Sequence, residues 1–405
     1  MGIMRNFNDT RKSIPLLCLI RLVHGLGAGM FDVVYQPFLL DLTGSLFIIG
    51  ILITLGSIMQ FLPTPIIGRL SDKYGRKKIA LMSIPTYIIG LSFLIISTQN
   101  SIILISMGIL FYFLGFPIND MNIQFLVSES SEKSKGMMYG VTMFSLFSGR
   151  IGGNLFVIFF QGFDTRIYFM IYIVLLVLEG IIILILPIKN GIKKDKEIIT
   201  PDEKVKNNKI WLKMIKEPRM RAILIFFTAD IIIYSIPLSI YTGGLRDYYG
   251  LTYENIAFIS FWLNLTNMVF QIPAGKITDK IGKKLALFLS ETFGLTFFTL
   301  NIIGSILWSM GFNNLLLLFL VLANISFGLS VVTFIPAELI ILTDLDRERK
   351  AELFGIISFI RGIGTIPTGV IGGFLIVNVG YISPFIIAFL GIIFEIWFLL
   401  RYFKD

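Results

Sequence analysis

The sequence predicts an all-α polytopic membrane protein whose twelve transmembrane helices form two pseudo-symmetric bundles of six. Three observations carry that prediction. Of 405 residues, 55% are hydrophobic and only 15% charged, with a mean hydropathy of +0.82, against roughly 25% charged residues in soluble domains. Apolar runs near the roughly 20 residues needed to cross a bilayer recur twelve times. A charged turn, Gly68-Arg69-Leu70-Ser71-Asp72-Lys73-Tyr74-Gly75-Arg76-Lys77-Lys78, returns 207 residues later as Gly275-Lys276-Ile277-Thr278-Asp279-Lys280-Ile281-Gly282-Lys283-Lys284. Glycine, acid, glycine and the basic pair keep register, as two duplicated halves require. A second echo relates Gly149, Gly152 and Gly153 to Gly369, Gly372 and Gly373.

In chain order, the first run (14–39) holds Arg21, His24, Asp32 and Tyr35 at helical spacing, with Gly25 and Gly29 spaced for close helix contact. The second (46–68) ends in the charged turn, where Gly68 is expected to allow close packing and Gly75 a positive φ. The third (77–98) is followed by a fourth (101–127) bearing Tyr112, Gly115, Asn119 and Asn122, with Asp120 on the adjoining face. The fifth (136–161) contains Arg150 and the sixth (166–188) Glu179. A lysine-rich stretch, 189–217, separates the halves; its Trp211, Leu212, Met214 and Ile215 suit a short amphipathic helix on the membrane surface. The seventh run (220–243) presents Asp230, Tyr234, Pro237 and Tyr241; the eighth (254–275) ends in the second turn; the ninth (283–306) carries Glu291. Asn324, Gly328 and Glu338 lie in the tenth (314–342), Arg361 in the eleventh (351–377) and Glu395 in the twelfth (382–401). The domain reading is therefore 1–188, a linker at 189–217, and 218–405.

Thirty of the thirty-five Lys and Arg residues fall in alternate connecting segments and at the termini. The opposite connections hold only Arg166 and Arg246, so both termini and the repeated turn are expected on the cytoplasmic side of the cell membrane. The net charge of +9 thus serves topology, not nucleic acid. Cys18 is the single cysteine, which excludes an internal disulfide. No cofactor motif, phosphate loop or histidine cluster for a metal is present, and no Ser-His or Cys-His pairing sits at a plausible depth, so neither an enzyme nor an ATP-driven pump is expected.

The Gly-x-Leu-x-Asp-x-x-Gly-Arg-Lys-Lys turn after the second helix, its copy after the eighth and the six-plus-six arrangement resemble the major facilitator superfamily. The resemblance covers essentially the whole chain. It implies alternating access, in which two bundles rock around a site near the bilayer midplane, and a cavity lined by helices one, four, seven and ten. It also implies that Asp72 faces the N-terminal end of helix eleven, with Arg76 bridging to an acid ending helix four, here Glu129. Such a cluster, with Gly68, Gly75 and the copy at Gly275, Asp279 and Gly282, would latch the outward-facing state. Lys77 and Lys78 read as topology signals.

Ionisable groups inside apolar helices are functional candidates by default. Counting about 1.5 Å per residue, His24 and Asp230 lie roughly 14–15 Å deep in a core of about 30 Å. They are 206 residues apart and are expected to face each other across the pseudo-twofold. Histidine titrates near neutrality, and a midplane carboxylate carries a proton or not according to whether desolvation or a partner such as Arg361 prevails. Arg21 and Asp120 lie at similar depth, as a structural pair or a gate. Asp32 is nearer the outer end, and Arg150 and Arg361 fall roughly 21 and 15 Å along their runs. The candidate substrate and coupling residues are thus Arg21, His24, Asp32, Tyr35, Asn119, Asp120, Arg150, Asp230, Tyr234, Tyr241, Glu338 and Arg361. Glu179, Glu291 and Glu395 lie on outer helices, where structural or lipid-facing roles are expected.

Tyrosines and carboxylates suit an organic cation; the three arginines suit a carboxylate or phosphate. By resemblance, drug–proton antiporters carry a Gly-Pro pair before the paired glycines of helix five, whereas this chain reads Ser148-Gly149-Arg150-Ile151-Gly152-Gly153. The expected partners are a small molecule, a coupling proton and the lipid bilayer, with the carrier monomeric. Efflux of drugs or metabolites is the first reading and proton-linked uptake the second. A non-transporting receptor or scaffold is the third.

Overall fold

The computed structural model describes residues 2–99, 101–130, 135–160, 162–187, 216–345 and 350–403. Long apolar runs in lipid must satisfy their backbone internally, and every described element is a helix: α1 (Gly2–Thr43), α2 (Leu46–Phe61), α3 (Thr64–Tyr74), α4 (Arg76–Ile96), α5 (Ile102–Glu129), α6 (Lys135–Phe159), α7 (Thr165–Ile185), α8 (Pro218–Leu238), α9 (Tyr241–Tyr249), α10 (Tyr253–Ile281), α11 (Lys283–Ser309), α12 (Asn313–Leu345), α13 (Lys350–Thr365), α14 (Thr368–Asn378) and α15 (Ser383–Tyr402). Together they supply twelve candidate spans. The amphipathic segment expected within 189–217 lies almost wholly outside the described residues.

Three of the twelve runs are broken helices. Pro63 stands between α2 and α3, and Pro367 between α13 and α14; a proline cannot continue the hydrogen-bond ladder of the turn before it. The seventh run breaks after Leu238, so Tyr241 opens α9 and leaves the stripe that holds Asp230 and Tyr234. The two charged turns reverse the chain at Gly75 (φ 94°) and Gly282 (φ 85°), a left-handed region that only glycine enters cheaply.

Within the first half α1 packs on α6 and α7, and α4 on α5 and α7; in the second, α11 packs on α12 and α15, and α8 on α13 and α15. Between halves, α6 runs against α10 and α2 against α14. These are spans five with eight and two with eleven, so a shift of six spans exchanges one seam for the other. The bundles are therefore two pseudo-symmetric sets of six. The glycine echo follows this symmetry only partly. Gly149 and Gly153 let α6 approach the α1 backbone at Leu22 and Leu26, whereas Gly369 and Gly373 carry the α2 seam at Gly50 and Leu46.

Candidate functional site

Among the described residues, Arg21, Arg150 and Arg361 pair with acids inside the spans, and His24 lies against a glutamate. Arg21, only 2% exposed, donates to Asp120 Oδ1 at 2.7 Å, and Gln124 donates to Asp120 Oδ2 at 2.8 Å. His24 Nδ1 lies 3.0 Å from Glu179 Oε2; Asn119 donates to Glu179 Oε1 at 2.8 Å and to Ser83 Oγ at 3.1 Å. Arg150 pairs with Asp32 at 2.9 Å. In the second half, Arg361 donates to Glu338 Oε1, and its other terminal nitrogen is 3.8 Å from Asp230 Oδ2. The same guanidinium lies over Phe227 and Phe334, with 5.7 and 6.0 Å to the ring centroids.

The structure revises several sequence expectations. His24 and Asp230 do not face each other: His24 turns to Glu179 between the rings of Tyr87 and Tyr172, while Asp230 turns to Arg361. At 100° per residue, depth along a helix fixes nothing about azimuth, which is why equal depth misled. Glu179, Glu291 and Glu395 are 0%, 0% and 1% exposed, so none faces lipid. Tyr234 donates to Glu291 at 3.5 Å and meets Ser330 at 3.3 Å. Tyr241, displaced by the helix break, donates to Asn301 and accepts from Asn324. Tyr35 stacks on Phe31 at 4.7 Å and accepts from Gln36.

Asp230, Glu291 and Glu395 bring carboxylate oxygens within 4.8 Å of one another. No local spacing announces this cluster, which is built by α8, α11 and α15. The internal repeat did contain a signal: Ser83 and Ser290 are 207 residues apart, and Glu179 and Glu395 are 216.

Away from the repeated turn, the halves are closed on each other. Gln36 donates to Ser239 O at 2.8 Å and accepts from Thr242 Oγ1 and Gly243 N at 3.1 and 3.0 Å. Tyr253 donates to Asp41 at 2.8 Å, and Gly50 meets the Gly369 backbone. Sequence reasoning missed Gln36, because a glutamine near a span end carries no signal until its partners are known.

On the turn face the arrangement differs. Among its packing neighbours α3 has α4 and α5 of its own half. Asp72 is exposed and makes no ion pair or hydrogen bond among the described residues. Gly68 and Gly275 have nothing within 4 Å of an added Cβ, so the close packing expected at Gly68 is not made in this conformation. Arg76 covers the Phe125 ring at 4.4 Å; the Glu129 side chain lies outside the described residues. Gly282 shapes the second turn, whose Asp279 is exposed. Lys77 does more than enforce topology: its ammonium donates to Leu184 O and Leu186 O at 2.9 and 2.7 Å, capping the end of α7.

The model of the Major Facilitator Superfamily matches residues 17–366. The chain belongs to that superfamily. It is 22% identical to the class B tetracycline resistance protein of Escherichia coli over 284 residues, 69% of each chain. With the class H tetracycline resistance protein of Pasteurella multocida it shares 38% identity over 76 residues, 18% of this chain and 19% of the relative. Among solved superfamily folds, the nucleoside transporter NupG superposes with a TM-score of 0.74 at 13% identity, covering 96% of this chain and 98% of that one. The D-xylose-proton symporter gives 0.75 at 12% identity, with 97% and 98% covered. At such identities the likeness is one of fold. The chain is accordingly an integral membrane protein with the architecture of a superfamily transporter.

Proposed function

We propose that the chain is a secondary active transporter that moves a small molecule by alternating access, driven by protons, with efflux of drugs or metabolites its first role. The observation that carries this reading is the Asp230–Arg361–Glu338 network. It joins α8, α12 and α13 with two carboxylates on one guanidinium, so the network changes partners if either acid gains a proton or a substrate competes for the arginine. The His24–Glu179 pair is a second buried polar contact, joining α1 to α7 in the first half. Efflux is supported by the tetracycline resistance relatives. Uptake is the second reading, favoured by the α6 stretch Ser148–Gly153, which lacks the antiporter proline and spends its Arg150 on Asp32.

On this reading the halves are 1–188 and 218–405, joined by 189–217, and the functional unit is a monomer in the cell membrane. The basic turn face and the termini are cytoplasmic, so the conformation described above is inward-facing. Asp72, Arg76 and Glu129 form the latch that closes the opposite state. The test has two steps. A thermal-shift screen of purified protein against metabolites and drugs finds a stabilising ligand, and flux of that ligand is then measured in proteoliposomes. A pH gradient should accelerate flux in the wild type and not in Asp230→Asn. Flux indifferent to the gradient in the wild type removes proton coupling.

A further inference from the structure

Each half buries a polar cage in the same place. In the first half it is built from spans one, three, four and six, by His24, Ser83, Asn119 and Glu179. In the second it comes from spans seven, nine, ten and twelve, by Asp230, Ser290 with Glu291, Ser330 and Glu395. The two copies satisfy their deepest glutamate in opposite ways. Glu179 has an imidazole 3.0 Å away and an amide at 2.8 Å. Glu395, equally buried, has neither: among the described residues both its oxygens are without a hydrogen-bond partner, as is Glu291 Oε1. Of the three acids of the second cage, Arg361 is ion-paired with Asp230 alone, at 3.8 Å, and it also donates to Glu338.

We propose that Asp230, Glu291 and Glu395 form a binding site for a dehydrated hard metal cation of calcium or sodium size. Three carboxyl groups gathered in an apolar interior, with unpartnered oxygens, are neutralised there by a bound cation or by protons. The donors are all oxygen, with the Tyr234 and Ser330 hydroxyls adjoining, which selects hard ions over zinc or copper. One carboxylate oxygen from each residue lies within 4.8 Å of the others, close enough for a single ion to bridge them, and magnesium, which dehydrates reluctantly and keeps several waters, suits such a buried cage poorly. In the first half, the imidazole of His24 and the amide of Asn119 occupy the place that the metal takes here. Binding stands apart from the transport reading; only the consequence rests on it, namely that ion, proton and Arg361 compete for Asp230.

The test uses purified full-length protein. Thermal unfolding is followed against CaCl2 or NaCl, with choline chloride at equal ionic strength as reference, alongside binding of radioactive Ca2+ and Na+. One of the two ions should raise the melting temperature saturably and bind near one per chain; which one responds decides between a divalent and a monovalent site. Glu395→Gln and Glu291→Gln should each weaken the midpoint at least tenfold while melting in choline at or above the wild type, since each removes a buried charge. The exposed Asp247→Asn should retain the response. If neither ion binds, if acid alone reproduces the stabilisation, or if both glutamine variants keep the wild-type midpoint, the site does not exist. Failure of the bundles to rock, measured separately by spin labels, sinks the transport reading and leaves the site standing.

Discussion

Replacing Gly369 with alanine separates a moving seam from a static one. A Cβ at Gly369 would stand 2.6 Å from Gly50 O, 3.0 Å from Thr54 Oγ1 and 3.1 Å from Thr54 N. Ordinary carbon contacts begin near 3.5 Å, so α2 and α14 must part by about 1 Å against backbone that cannot rotate away. Overpacking of this kind costs about 1–3 kcal/mol. The greater helix propensity of alanine acts equally in both conformations and cancels. The cost falls only on the state in which this seam is closed, so the equilibrium should shift about 5- to 150-fold toward the state open on the face away from the turn. The assay is a spin-label distance distribution between Gln99 and Met310, both exposed at that face, in a Cys18→Ser background. The long-distance population should grow in Gly369→Ala. An unchanged distribution together with a lowered melting temperature would mean that the seam does not open and is a fixed part of the fold.

Other outcomes follow from the same contacts. Replacing His24 with glutamine leaves Glu179 Oε2 buried without its imidazole and should destabilise the protein by about 1–3 kcal/mol, read by thermal unfolding in detergent; a melting temperature equal to wild type would mean the pair contributes nothing. Asp230→Asn should remove the response of transport to a pH gradient while leaving downhill flux, and retention of that response assigns coupling elsewhere. Asp72 is exposed and makes no ion pair or hydrogen bond among the described residues, so Asp72→Asn should leave the melting temperature of this conformation unchanged and deplete the state closed on the turn face. Equal populations in mutant and wild type would dismiss the latch.

The fold was legible because its rules are one-dimensional. Run length gave twelve spans, charge sorting gave two kinds of connection, and the repeated turn gave the halves. Gly75 and Gly282 could be read as reversal points because no other residue enters that φ region cheaply. The broken spans were half legible: Pro63 and Pro367 stand in the sequence, but prolines within other helices, such as Pro85 and Pro117, do not break theirs. Whether a span breaks depends on neighbours that re-satisfy the freed carbonyls.

The site was less legible, for a geometrical reason. Sequence places a residue along a helix but not around it relative to a helix far off in the chain. Arg21 with Asp120 and Arg361 with Asp230 were open as pairings, whereas Arg150 with Asp32 and His24 with Glu179 required the packing of α1 on α6 and α7. The three buried glutamates were discounted because their helices are peripheral, although a peripheral helix still turns one face inward. Comparing the halves residue by residue would have exposed the error, since Ser83 and Glu179 recur as Ser290 and Glu395.

The most direct test of two rocking bundles is a paired distance measurement. Spin labels at Lys73 and Lys280, equivalent exposed positions 207 residues apart on the turn face, report one mouth; labels at Gln99 and Met310 report the other. When a stabilising ligand or a change of pH shifts the population, one distance should lengthen as the other shortens. Two distances that stay fixed, or that lengthen together, would contradict the account.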